Sequence, residues 1–547
     1  MAKQASGPGT TGRRLKGAVA RSLFKTRLYD ATLGGAAPTA FVGHVEDPWP
    51  GNPETANIMF QGRYNFFGEQ HVALNEPPWD LDASETWQGE LHGFAWLRHF
   101  RAAGGEAARL GGRELIRTWI ELHNKWTPLV WRGDVLGRRL AAWAAHAGFL
   151  MEGAEPTFRQ RFLTSFAKQS KHLFRSVSET PEGGAYVSAI LGMVASALAL
   201  GGGGAQLTKA LQHLEQALAQ QILADGMHVS RSPAQHVGVL QDLVFMRAAL
   251  LAGGADVPDA LESAINHMVP MVRFFRHGDG ALALFNGGGE MSGKDLDAML
   301  VLIGNKTKAP VSAPQGGYER LTAGSSLVMF DAGGPPPALF ASLAHAGPLA
   351  FEMSVGRERM IVNCGSHLHP DWQAAGRSTA AHSTLTLADT NAVELEEPGG
   401  IGKRRCTVAC MRNEDDGNIW IESAHDGYAP FGVVHGRRLY LSANGGLKGE
   451  DSLSWQGASR QKGHAFQVRF HLHPGVQTSL VRDGEAVLLR LPKGGGFRFH
   501  AGGARLGVEE SVYLGSGDVR RAEQIVLSGD LGPDGSVVKW ALVPIET

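Results

Sequence analysis

The sequence predicts an α+β multidomain protein, a helical first half followed by an antiparallel β-sandwich. Three observations carry that prediction. Apolar residues recur with helical spacing from about Glu85 to Ile303. After the Pro-rich stretch Ala309-Pro310-Val311-Ser312-Ala313-Pro314 the period changes to two and stays there. The length, 547 residues, exceeds what one hydrophobic core usually supports. The expected boundaries are an N-terminal extension over 1–84, a helical domain over 85–310 and a β-domain over 311–547.

Taken in order, Phe60 to Val72 (FQGRYNFFGEQHV) reads as a small β-hairpin. In the helical half, Val135, Leu140, Trp143 and Phe149 mark one inward stripe, with Asp134 as the expected N-cap. Ala185 to Leu200 is too short for a membrane span and reads as a buried helix. Leu207, Leu211, Leu214 and Leu218 form a second stripe, with Gln212, Glu215 and Gln216 on the opposite face. Val237, Leu240, Leu243, Val244 and Leu251 form a third, ending at Gly253-Gly254, where a left-handed C-cap fits. Helical hairpins of this kind stack into bundles, solenoids or rings, and spacing does not choose among them.

In the β half, Val468, Phe470 and Leu472 alternate with Arg469, His471 and His473, so one face of that strand packs. Similar strands are expected at Ser326 to Phe330, Arg359 to Val362, Thr384 to Leu387, Ile419 to Glu422, Arg438 to Leu441, Ala486 to Leu491 and Val537 to Leu542. Asp483-Gly484 and Asp534-Gly535 supply tight antiparallel turns.

Composition narrows the function classes. With 43% apolar and 19% charged residues the chain lies far from the disordered regime. Lys plus Arg is 52 against Asp plus Glu 53, so no global field draws in nucleic acid or an anionic membrane, and anion recognition has to be local. Three cysteines, Cys364, Cys406 and Cys410, suit a reducing compartment; Cys406 and Cys410 either pair or are buried thiols. The N-terminal apolar residues are scattered among Arg and Lys with no continuous apolar run, which makes the cytoplasm the expected location and the periplasm or cell envelope the alternative.

Functional side chains concentrate in four places. Asp225 to His236 (DGMHVSRSPAQH) joins two helices with poor helix formers, and Pro233 forces Ser232 out of the α-region. His228, Arg231, Gln235 and His236 are thereby presented from a loop, or the segment is an ordinary capped turn. His277-Gly278-Asp279-Gly280 through Asn286-Gly287-Gly288-Gly289 is either a ligand-approaching or a closing loop. Early in the β-domain, His345, Asn363 and His382 lie on neighbouring expected strands. They can hold a structural zinc as two imidazoles and an oxygen donor, or be buried, hydrogen-bonded side chains. His435, Arg437, Arg438, Arg469, His471 and His473 read as a solvated strand face. Trp79, Trp87, Trp96, Trp119, Trp126 and Trp131 cluster in the helical half, where indoles stack on sugar rings or fill the core.

At these motifs the chain resembles the heparinase II/III-like family of polysaccharide lyases over nearly its whole length. Asp225-Gly226 through Ser232-Pro233 to His236 is similar to that family's DG…ELSPxYH element. His345-Ala-Gly-Pro-Leu-Ala-Phe351 resembles its HxDxLSF strand, and Arg377-Ser-Thr-Ala-Ala-His-Ser-Thr-Leu385 its RxTxxHNTV element. RLYDATLGG from Arg27 and VEDPWPG from Val45 resemble a bacterial subgroup. The resemblance implies an N-terminal incomplete (α/α) toroid followed by a C-terminal antiparallel β-sandwich, and an acidic, uronate-containing polysaccharide or oligosaccharide as partner. It also implies β-elimination: abstraction of the C5 proton and expulsion of the 4-linked sugar.

That reaction needs a group that neutralises the uronate carboxylate, a base and an acid. In the family these are an Asn or His on a toroid helix, the Tyr of SPxYH and a β-domain His. Here the Tyr position holds Gln235, Leu343 stands two residues before His345 where metal-containing relatives place a His, and their ligand Asp is Asn363. The region expected to supply the neutraliser, Pro181 to Tyr186, has neither Asn nor His. As a lyase, the chain is therefore expected to use Arg231 as neutraliser and His228 or Tyr186 as base and acid, with His236, His345 and His382 in reserve. Gln235, Asn286, His277, Arg377 and Trp126 are the expected sugar contacts. A non-catalytic glycan-binding protein on the lyase scaffold is the alternative, motivated by Gln235 and Leu343. A hydrolase is weaker, because Asp225, Asp279 and Glu290 read as isolated acids in turns.

Overall fold

The computed structural model describes residues 17, 19–36, 38–74, 76–201, 203–397, 399–457 and 463–545. They form two compact units, one from the described residues up to 218 together with 241–263, the other from 219–240 together with the described residues from 264 onward.

The first unit is largely helical and includes the expected hairpin, which pairs Arg63–Phe66 with Glu69–Val72 after helices Arg27–Leu33 and Pro53–Phe60. Helices Gly133–Ala145 and Gly184–Leu200 pack backbone to backbone: a methyl at Gly192 would lie 2.4 Å from the Cα of Gly137, so glycine permits the approach. The second of these helices is buried from Val187 to Ala199, as its apolar run predicts. Among the described residues no helix is long and apolar enough to cross a membrane. Trp79, Trp87, Trp96, Trp119 and Trp131 are core residues, whereas Trp126 is half-buried beside Phe24. Asp134 is not the expected cap. Arg132 occupies the N-cap position, and Asp134, one residue inside the first turn, grips its guanidinium at 2.7 and 3.0 Å. In the second stripe Leu214 and Leu218 are buried, and Leu207 and Leu211 half-buried.

The second unit carries two antiparallel sheets. One has eight strands, in the order Gln477–Val481, Ala486–Arg490, Gly496–Gly502, Ser536–Pro544, Leu447–Trp455, Val433–Leu441, Asn418–His425, Val408–Asp415. The other includes Tyr318–Ala323, Ser326–Asp331, Phe351–Val355, Glu358–Val362, Leu385–Leu387, Ala465–Leu472 and Arg520–Asp530. Their facing apolar residues, among them Val328, Phe351, Leu439, Phe470, Phe499 and Trp540, form one continuous core, and the fold is a β-sandwich.

The solvated face expected at His435 and Arg437 is instead interior. Both are fully buried, and their register explains it. Arg437 lies opposite Asp451, whose carboxylate takes Arg437 Nε at 2.8 Å, His435 Nε2 at 2.8 Å and Trp540 Nε1 at 2.9 Å. His471 is also buried, between Ser511 and the Ala380 carbonyl, while Arg438 is exposed and Arg469 and His473 are half-buried. All three cysteines are free thiols.

Candidate functional site

Residues of the first three motifs meet inside the second unit. Pro233 begins helix Pro233–Ala252, Ser232 Oγ accepts from the Gln235 amide, and Arg231 is driven into the left-handed region at φ 58°. Asn286 is left-handed too, at φ 45°. Non-glycine residues held this way cost energy unless their surroundings fix them. The two fix each other: Asn286 Nδ2 donates to the Arg231 carbonyl at 3.1 Å, and the Tyr318 hydroxyl donates to the same oxygen at 2.8 Å. Asn286 Oδ1 then accepts from the His345 amide at 2.9 Å, joining the loops to the β-domain.

The imidazoles form closed chains. Because Nε2 of His345 accepts from the Gly287 amide at 2.9 Å, its proton sits on Nδ1, which donates to His382 Nε2 at 3.1 Å; His382 Nδ1 then donates to the Ser378 carbonyl at 2.7 Å. Gly347 belongs to this arrangement, since a methyl there would meet the His382 ring at 2.6 Å. His228 Nδ1 accepts from the Ser230 amide and its Nε2 donates to Gln221 at 3.0 Å. His236 Nδ1 accepts from the His228 amide and its Nε2 donates to the Met268 carbonyl at 2.9 Å. Burial pushes these rings toward their neutral forms, His228 down to about 3, His236 and His382 down to about 4, and His345 well below the usual range. No ring nitrogen of the four is left to take a substrate proton.

Arg231 is equally committed. Nε donates to the Gly316 carbonyl, Nη1 to those of Gly333 and Gly334, and Nη2 to the Gly317 carbonyl and the Asp331 carboxylate. This corrects the expected neutraliser role: the guanidinium clamps two backbone turns. Arg377 likewise holds the carbonyls of Ala344, Glu396 and Gly400. His277 pairs with Glu352 at 2.8 Å, and the same carboxylate takes the Asn363 amide and side chain.

The expected zinc set does not fit. His345 and His382 spend their nitrogens on each other and on backbone, and Asn363 is turned to Glu352 and the Ser383 amide. No group of three His, Cys, Asp or Glu side chains suited to a metal occurs among the described residues. Of the remaining expected residues, Gln235 is half-exposed, and Tyr186 and Trp126 belong to the other unit, where Tyr186 bonds His213 Nδ1 at 2.7 Å.

Three network members were missed: Tyr318, Asp331 and Glu352. Glu352 and Asp331 are each a lone acid in an apolar strand, and that is the signal that could have found them. Asp279 and Glu290 are not isolated either, since Arg359 bridges them at 3.0 and 2.6 Å, with Tyr513 and His473 alongside. Burial opposes ionisation of Glu290, but His473, Arg359 and Tyr513 together hold its pKa down at about 2.

A toroid and β-sandwich of this kind, with these loops meeting on the sandwich, define a polysaccharide-lyase-like protein. Residues 305–541 match the family described as Heparinase II/III-like, C-terminal. The crystal structure of heparinase III superimposes with a TM-score of 0.71 at 14% identity, over 97% of this chain and 89% of that one. Heparan sulfate lyase HepC from Pedobacter heparinus gives 0.59 at 14%, over 90% and 83%. A curated relative, FtsZ-localized protein C of Caulobacter vibrioides, is 30% identical over 97% of this chain and 95% of its own length. The chain belongs to the heparinase II/III-like family.

Proposed function

We propose that this chain is a non-catalytic, glycan-binding member of the family, and that it localises with FtsZ, as its Caulobacter relative is named for doing, with the cytoplasm as its location. The observation carrying the first part is the set of closed hydrogen-bond chains: the imidazole lone pairs of His228, His236, His345 and His382 each accept from a donor within the protein, and Arg231 has no donor to spare for a uronate. Gln235 adds to this, because a carboxamide neither takes nor gives a proton near neutral pH. The second part rests on the relative's identity across nearly the full length.

Incubation with heparan sulfate, alginate, hyaluronan and bacterial exopolysaccharides is expected to yield no ultraviolet absorbance from an unsaturated uronide. Sustained turnover of any one would overturn the non-catalytic reading. A fluorescent fusion is expected to coincide with FtsZ; a uniformly diffuse signal counts against the location.

A lyase with atypical residues is the second reading. It is favoured by the half-exposed His473 beside Tyr513 and Arg359, acid, base and cation types outside the family motifs. The same absorbance assay decides between the two.

A further inference from the structure

The outer face of the eight-stranded sheet carries two adjacent cross-strand rows that the buried network does not use. In the first, register places Trp420 opposite Tyr440 and Tyr440 opposite Lys448. In the second, Glu422 lies opposite Arg438, Arg438 opposite Glu450, and Glu450 opposite Lys539. The side chains of both rows line an open trough of about 930 Å³ on this face, which Gly502 and Ala541 help to floor.

We infer that this trough is a glycan-binding site for a carboxylate-bearing oligosaccharide, with Trp420 and Tyr440 as the stacking platform and Lys448 as the carboxylate contact. The inference rests on the glycan-binding reading above and gives it a place. Trp420 is 38% exposed, high for a residue whose burial is ordinarily favourable, and its ring lies 5.1 Å from that of Tyr440 at 47°. The Tyr440 hydroxyl donates to Asn418 Oδ1 at 2.9 Å, so the platform is held before any ligand arrives.

The charges sort the ligand. In the second row they are mutually satisfied, Arg438 with Glu422 at 2.8 Å and with Glu450 at 3.3 Å, and Lys539 with Glu450 at 3.6 Å. They offer hydrogen bonds to hydroxyls without a net field. Lys448 pairs with no carboxylate among the described residues and instead lies 5.7 Å from the Tyr440 ring. An exposed ammonium beside an aromatic platform favours a ligand that is apolar on its ring faces and anionic at one substituent, which describes a uronate.

The test is calorimetric titration of the full chain with hyaluronan and alginate hexasaccharides and with neutral cellohexaose. The wild type is expected to prefer the uronate probes by about tenfold, Trp420→Ala to weaken all three by about tenfold, and Trp420→Phe to recover part of that loss. Lys448→Gln is expected to abolish the preference while leaving cellohexaose binding unchanged. These side chains are exposed, so thermal melting of the variants should match the wild type and exclude misfolding. If the wild type binds none of the probes, the glycan-binding reading and the site fall together. If it binds and the variants bind equally well, only the site assignment is overturned.

Discussion

The Nδ1–H of His345 donates to Nε2 of His382 across 3.1 Å, and the far nitrogen of each ring is already bonded to backbone, His345 to the Gly287 amide and His382 to the Ser378 carbonyl. A pair arranged this way ties the glycine-rich loop to the sandwich. His345→Ala leaves a buried amide and a buried ring nitrogen without partners, each costing roughly 1–3 kcal/mol. Chemical denaturation is expected to show a loss of about 2–6 kcal/mol. A change under about 0.5 kcal/mol, the usual size for an unimportant surface position, would contradict the arrangement.

Arg231 and Asp331 form the second joint. Lysine retains the charge but lacks the planar fork that reaches the carbonyls of Gly316, Gly317, Gly333 and Gly334 together. Arg231→Lys is therefore expected to destabilise by about 2–4 kcal/mol, because buried carbonyls lose their donors at roughly 1–3 kcal/mol each, and Arg231→Lys/Asp331→Asn by less than the sum of the single changes. Strict additivity in this cycle would mean that the two side chains act independently.

Much of the architecture was legible in the sequence. The switch of period near Pro310, the hairpin at Phe60 to Val72 and the strand around Val468 to Leu472 are local signals, and local signals survive in a string of residues. Identity of the loops at Asp225 and His345 was legible for the same reason. What they do was not, because the partners of Arg231 lie 85 to 103 residues away and are mainly backbone carbonyls, which any sequence can provide. The interior place of His435 and Arg437 had a usable sign. They share strand parity with Val433, Leu439 and Leu441, so they follow the apolar face, and only the remote Asp451 makes their burial tolerable.

Restoring the family tyrosine tests whether one substitution separates this chain from catalysis. Gln235 is half-exposed at the start of its helix, so Gln235→Tyr should be accommodated with a stability change of about 1 kcal/mol or less. Its expected lyase activity remains at background, because the imidazoles of His228, His236, His345 and His382 and the guanidinium of Arg231 stay committed within the protein. An unsaturated product from this variant on any uronide would show that the remaining machinery is present.

Acidification gives the broadest test, because it reads the buried rings together. His228 and His471 are held down to about 3, and His236 and His382 to about 4, all chiefly by burial, against 6.5 for an exposed imidazole. The unfolded chain therefore takes up protons below pH 6.5 that the folded chain refuses. Stability is full above that value and declines as the pH falls toward 4, by on the order of 1 kcal/mol per pH unit for each such ring. Carboxylates held low in the fold, such as Glu290 at about 2 against an ordinary 4.5, begin to add to the loss as the pH falls through about 4.5. Chemical denaturation between pH 7.5 and 5 should thus show a steep fall across an interval in which exposed carboxylates barely titrate. NMR of the folded chain should show these four imidazoles remaining neutral throughout it. A flat profile, or four rings titrating near 6.5, would mean that they are open to solvent and free for proton transfer, and the non-catalytic reading would lose its physical basis.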